Sequence, residues 1–218
     1  MVKRNLFPFL FAVIFLAACT GGSNQSGSEE GDSTMSDSGM EMEAGGEAST
    51  MSVNSESSRI VWEGTMLGVY SHSGTVALQE GTLEVMGDDI VGGEFVVDLT
   101  TMTPTDENYN PEEGKTKEKL VGHLSSDDFF NVSEYPTAKF VITSYDAENN
   151  TITGDLTVRG KTHEETVENV SFDPNSGTAT GTLTFDRTKY DVNFQMTAQD
   201  MVLSDDIELQ IELNASPA

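Results

Sequence analysis

The sequence predicts a mainly β protein, an antiparallel barrel of about eight strands with one inserted helix, and three features point to it. Past Arg59, apolar residues recur at every second position in run after run, as they do in strands with one buried face. Clusters of Gly, Asn, Asp and Pro separate the runs, so sequence neighbours are expected to pair as hairpins. Only the stretch from Lys115 to Ser125 carries helical spacing instead. Closing such a sheet on itself removes its exposed edges, which favours a barrel over an open sheet.

Taken in order, Ile60 and Trp62 share the inner face of the first strand. Val76 and Leu78, followed by Leu83 and Val85, predict a short hairpin around Glu80-Gly81, and Asp88-Asp89 turns the chain into Phe95, Val97 and Leu99. A long polar connection, Thr103 to Gly114, leads to the helix, where Leu120, Val121 and Leu124 fall on one side. Phe129 and Phe130 follow beside Asp127-Asp128, and two adjacent rings carry too much apolar area to stay wet, so at least one belongs in the core. Pro136 keeps Tyr135 out of the helical region, and Thr137 to Ser144 reads as a strand with Phe140 and Ile142 on one face. Asn149-Asn150 turns into the alternating Ile152, Gly154, Leu156 and Val158, and His163 to Phe172 pairs back across Gly160. After a turn at Pro174 to Gly177 come Ala179, Gly181, Leu183 and Phe185, and Ile207, Leu209, Ile211 and Leu213 complete the sheet.

Gly154, Ala179 and Gly181 fall on inner faces where a packed core would place bulk. They either leave space for a ligand or relieve bends and bulges, and the sequence does not decide between these.

The N-terminal region predicts an address and a tether. Lys3 and Arg4 precede an apolar run from Leu6 to Leu16, and Leu16-Ala17-Ala18 stands just before Cys19, the one cysteine of the chain. That pattern predicts a lipoprotein signal over residues 1–18, with Cys19 lipidated, palmitate among its acyl chains, and the protein anchored to a membrane of the bacterial cell envelope, on the periplasmic side or the outer surface. Residues 19–56 are rich in Gly, Ser, Glu and Asp and read as a disordered tether; residues 57–218 then form one barrel domain. Met35, Met40, Met42 and Met51 punctuate the tether, and Met-x-Met beside carboxylates is a soft-ligand pattern for copper. The chain carries 11 Lys+Arg against 37 Asp+Glu, a net charge of −26. Such a balance argues against nucleic acid, where basic residues must displace counterions from phosphates, and against direct adsorption to anionic lipid.

His72, His123 and His163 are far apart and without ligand spacing, so no metal site is predicted, and no nucleophile elbow or phosphate-cradling loop occurs. Asp127-Asp128 and Asp205-Asp206 are sequence neighbours that would face opposite ways on a strand, so no catalytic pair is predicted and the chain reads as a binder rather than an enzyme. His123 either caps the helix C-terminus or hydrogen-bonds a ligand head group.

His123-Leu124, Asp128-Phe129-Phe130-Asn131-Val132, Tyr135-Pro136-Thr137 with Phe140, and the block from Gly154-Asp155-Leu156-Thr157-Val158 to Arg159-Gly160-Lys161-Thr162 resemble the signature of the YceI-like, polyisoprenoid-binding, lipocalin-like proteins. The resemblance runs from Ser57 to Ala215 and implies a lipocalin-like barrel with an elongated apolar interior for a quinone or polyprenyl lipid. On that reading the ligand-binding residues are Trp62, Val76, Leu78, Phe95, Val97, Phe129, Phe130, Phe140, Ile142, Leu156, Val158, Leu183 and Phe185. Gly154, Ala179 and Gly181 would keep the space open, and His123 or Tyr135 would orient the head group. Three departures stand out. Leu120-Val121 occupies the place of the family's Arg-Asp ahead of His-Leu, Asp191 replaces the glycine of an Arg-x-x-aromatic-Gly block, and Thr103 to Gly114 looks like an addition that alters the cavity mouth. A solid-cored interaction domain and a copper-handling lipoprotein are the rival readings, and the oligomeric state stays open, a homodimer included.

Overall fold

In a computed structural model, residues 47–67, 70–194 and 202–218 are described. Cys19, Met35, Met40 and Met42, with the predicted signal and most of the predicted tether, lie outside them. Nine strand segments follow in order: β1 Ser49–Val53, β2 Arg59–Leu67, β3 Tyr70–Met86, β4 Asp89–Pro104, β5 Thr137–Asp146, β6 Thr151–Val158, β7 Lys161–Asp173, β8 Thr178–Asp186 and β9 Val202–Pro217. A single α-helix among the described residues, α1 Lys117–Leu124, lies between β4 and β5.

Each strand from β3 to β9 pairs antiparallel with the next, and closure falls to β1 and β2 together. Both lie between β3 and β9: β1 pairs Met51 with Leu83 and Val53 with Ala215, while β2 pairs Ile60 with Val76 and with Ile211. They are two halves of one stave, so nine segments close an eight-stave barrel. Asn54 stitches the break. Its side-chain oxygen accepts from the Glu56 and Ser57 amides, its own amide donates to the Asn214 carbonyl, and the Asn214 side chain donates to the Ser57 carbonyl.

Here the structure corrects the tether boundary. Residues expected to be disordered up to 56 form β1, and Met51 and Val53 are buried at 8% and 7% exposure. Alternation of Met51 and Val53 with serines is a two-point pattern too short to stand out against the polar stretch around it. Met51 is thereby removed from any copper-binding Met cluster.

The expected hairpin at Glu80-Gly81 is also absent. β3 runs unbroken from Tyr70 to Met86, and the turn into β4 is at Gly87-Asp88. The register shifts between Leu78 and Glu80, and Gly81 sits opposite Phe95, whose ring lies 2.9 Å from where a Cβ would stand. The interrupted alternation thus marks a bulge with a close approach, not a reversal.

The helix forms as expected and is slightly shorter. Thr116 caps it by accepting from the Lys119 amide at 3.3 Å, and Leu120 and Leu124 pack on the core. Past Ser125 the chain folds tightly back: Val132 donates to the Ser125 carbonyl, and Asn131, with φ of 48°, donates to that of Ser126. This drives Phe129 and Phe130 inward to 5% and 9% exposure, edge to face at 4.9 Å, as two adjacent rings demand.

Beyond β8 a 3-10 turn, Arg187–Tyr190, ends at Asp191 in the left-handed region with φ of 60°. A glycine in the related motif therefore meets a backbone requirement that Asp191 satisfies at some conformational cost.

Because β1 completes the closing stave, Met51→Ala should lower the unfolding free energy by about 2–5 kcal/mol in a urea melt. A midpoint equal to wild type would return this segment to the tether.

Candidate functional site

The barrel interior is not filled. A cavity of about 420 Å³ runs through it, walled almost wholly by apolar side chains. Trp62, Val76, Leu78, Phe95, Val97, Phe140, Ile142, Leu156, Val158, Ala179, Gly181, Leu183 and Phe185 lie on its wall, and His123, Phe129 and Phe130 close over it from α1 and the following loop.

Two expected site residues are elsewhere. Gly154 is not on the wall: a Cβ there would stand 2.5 Å from Phe140 Cζ and 2.5 Å from the Val141 carbonyl oxygen, so the glycine is the seat on which the Phe140 ring lies. Tyr135 lies over Gly160 in the β6–β7 turn, with its ring 2.9 Å from that glycine's Cβ position, and cannot orient a ligand in the cavity. Its phenol is pushed up, first by a hydrogen bond with Glu134.

The same arrangement recurs. Trp62 covers Gly74, where a Cβ would be 2.5 Å from its ring, and donates its indole N–H to the Thr75 carbonyl at 3.2 Å. Phe95 covers Gly81, and Val167 covers Gly181 at 2.6 Å. Inner-face glycines let large side chains lie flat along the sheet instead of across the lumen, so the choice between open space and relief of bends resolves into a third role. Gly64 differs: it is on the wall with nothing within 4 Å of its Cβ position.

The cavity has a polar end, and sequence reasoning missed most of it. Tyr70 and His72 lie on the wall, in a stretch of β3 where the polar run Tyr70-Ser71-His72-Ser73 hid the strand. His72 Nδ1 faces both oxygens of Asp106, at 3.1 and 3.3 Å. Asp106 also accepts from the Tyr109 hydroxyl at 2.9 Å and from the Ser73 and Asn108 amides at 3.1 and 2.9 Å. Burial would raise the Asp106 carboxyl, but these hydrogen bonds outweigh it and hold it below its ordinary value. The Tyr109 phenol moves the other way, pushed up by burial and by its bond to Asp106. The connection expected to alter the mouth does so by carrying Asp106 and Tyr109 onto β3.

Arg187, 2% exposed, is also on the wall. Its guanidinium donates to the Ser204 and Val192 carbonyls and to Asp205 Oδ1, and it stands 5.9 Å from the Phe129 ring centroid. Burial pulls its pKa down while Asp205 and Asp186 oppose the shift. Beside it Tyr190, fully buried, donates to Glu165 Oε1 at 3.1 Å, and Lys189 reaches the same oxygen at 3.0 Å. His123 joins an aromatic cluster, its ring 4.3 Å from Phe194 and 5.5 Å from Phe129. No group of three or more His, Cys, Asp or Glu residues is placed to hold a metal ion among the described residues.

An antiparallel barrel closed around an apolar cavity, with one helix at its polar end, defines a lipocalin-like barrel. The chain belongs to the YceI-like family: residues 51–215 match the YceI-like domain. A UPF0312 protein of Staphylococcus epidermidis is 33% identical over 110 residues, 47% of this chain and 63% of that protein. One from Staphylococcus aureus is 36% identical over 85 residues, 35% of this chain and 48% of that protein. The chain thus spans less than two thirds of either relative. Among solved structures, Burkholderia cenocepacia BcnA is 18% identical with a TM-score of 0.51, over 75% of this chain and 99% of that one. A polyisoprenoid binding domain from Saccharophagus degradans is 11% identical with a TM-score of 0.49, over 77% of this chain and 98% of that one. The likeness to BcnA is one of fold.

The two kinds of inner glycine should respond differently to a single methyl group. Gly154→Ala should destabilise by about 1–3 kcal/mol through the clash with the Val141 carbonyl and the Phe140 ring, whereas Gly64→Ala should stay within about 0.5 kcal/mol of wild type. Equal denaturation midpoints for the two variants would refute the ring-seat account.

Proposed function

We propose that this protein is a membrane-tethered bacterial lipoprotein whose barrel binds or carries an amphiphilic isoprenoid lipid, of the quinone or polyprenyl type, with the tail in the cavity. The observation that carries this is the apolar interior of about 420 Å³, a volume ordinary for a ligand site and unfilled by the protein's own side chains. A solid-cored interaction domain has no use for such a space. Burying about ten methylene groups there would contribute about 8 kcal/mol before the cost of ordering the chain. Since a hydrocarbon tail offers no strong hydrogen bonds, selectivity for its length and branching is loose.

The test is capture of lipid from envelope extracts, read by native mass spectrometry of the purified protein. Gly64→Trp is the better plug, because its side chain enters open space, whereas a large residue at Gly154 would strike the Val141 carbonyl. Wild type should carry an isoprenoid and Gly64→Trp should not, with unchanged far-UV circular dichroism. A wild type that never takes up an isoprenoid, or a plugged variant that takes it up as wild type does, defeats the carrier reading.

The anchor is supported by Leu16-Ala17-Ala18-Cys19. Cys19→Ala should abolish lipidation and leave an uncleaved or soluble species on fractionation. Equal processing and equal membrane association of the variant would exclude the lipoprotein reading.

A further inference from the structure

We propose that His72 is the head-group residue of the cavity and that it selects a neutral, hydroxyl-bearing head, an alcohol or a hydroquinone, over a phosphorylated or carboxylate head on the same tail. This rests on the carrier reading and names its ligand class more closely. His72 lies on the cavity wall with its side chain 19% exposed, and its ring is fixed from three directions. Asp106 holds Nδ1, Tyr109 stacks on the ring at a centroid distance of 4.9 Å, and Tyr70 meets it edge to face at 5.0 Å. In the neutral ring, a carboxylate facing Nδ1 sets the tautomer with the proton on that nitrogen, and Nε2 then carries the lone pair. Nε2 has no hydrogen-bond partner among the described residues, and it is an acceptor that a hydroxyl on the ligand completes.

The surrounding charges oppose an anionic head. Asp106 stands beside His72, and Asp206 is on the same wall. The lysine and arginine among the described wall residues are paired: Arg187 with Asp205 and two carbonyls, Lys139 with Glu94 at 2.8 Å. Lys117, beside Tyr109, pairs with Glu107 at 3.2 Å. A phosphate placed here would meet like charge, and the lysine and arginine of the described wall already have partners.

The test titrates the full chain with three ligands of one tail length, a polyprenol, its methyl ether and its monophosphate, read by the fluorescence of Trp62, the one tryptophan and itself on the wall. Wild type should bind the alcohol at least about tenfold more tightly than the ether, which cannot donate, and than the phosphate. His72→Phe should bind alcohol and ether alike, while His72→Gln, which keeps an acceptor, should retain part of the preference. Phosphate bound as tightly as the alcohol, or a preference that survives in His72→Phe, overturns the assignment and leaves the carrier reading standing. Binding of none of the three by wild type overturns both.

Discussion

Closure of the sheet between β3 and β9 is the constraint on which the rest of the molecule depends. An open sheet would leave two edges of unpaired amides and carbonyls, and its concave face would not enclose a lumen. Neither β1 nor β2 is long enough to close the gap alone: β2 reaches Val76 on β3, and β1 takes over at Thr82. The break between them is tolerable because Asn54 and Asn214 satisfy the backbone groups that a turn inside a ladder would orphan. The closing stave also brings Met51 and Val53 to the end opposite α1, where with Leu83, Val85 and Ala215 they bury that end of the barrel.

With both edges consumed, the interior is decided by side-chain direction. In a barrel of eight staves, inward-pointing side chains of ordinary size fill the lumen. Here Trp62, Phe95 and Phe140 lie along the sheet over glycines of the neighbouring strands, so large aromatics become wall rather than filling. Bulk at the glycine position would lift the ring into the lumen. The cavity is therefore a property of aromatic and glycine pairs, with each glycine acting through its partner.

Much of this was legible in the sequence and some was not, for identifiable reasons. Alternation placed most of the later strands and the inward faces correctly, because long runs such as Ile152 to Val158 repeat the signal several times, and helical spacing placed the helix. It failed at Ser49–Val53, where two apolar residues are too few, and at Gly81, where a broken pattern fits a turn and a bulge equally well. Phe129 and Phe130 were legible from bulk alone. His72 was not, since its role depends on Asp106, which stands 34 residues away and arrives only through the fold of an acidic connection. Tyr135 misled because a tyrosine beside a helix looks like a mouth residue, whereas its ring is needed to cover Gly160.

The polar groups collect at one end of the barrel because only that end lacks strands to cover it. At the opposite end tight turns join the strands and β1 seals the space with apolar side chains. At the α1 end the chain must cross the lumen in irregular backbone, and each crossing brings carbonyls that need donors. Arg187 answers that need: three of its nitrogens serve two carbonyls and Asp205, so a buried guanidinium ties the start of β9 to the chain just past the turn that follows β8. Tyr190 and Glu165 are buried beside it, and the free lumen reaches His72 on β3. At this end of the wall stands His72, whose Nε2 has no hydrogen-bond partner among the described residues.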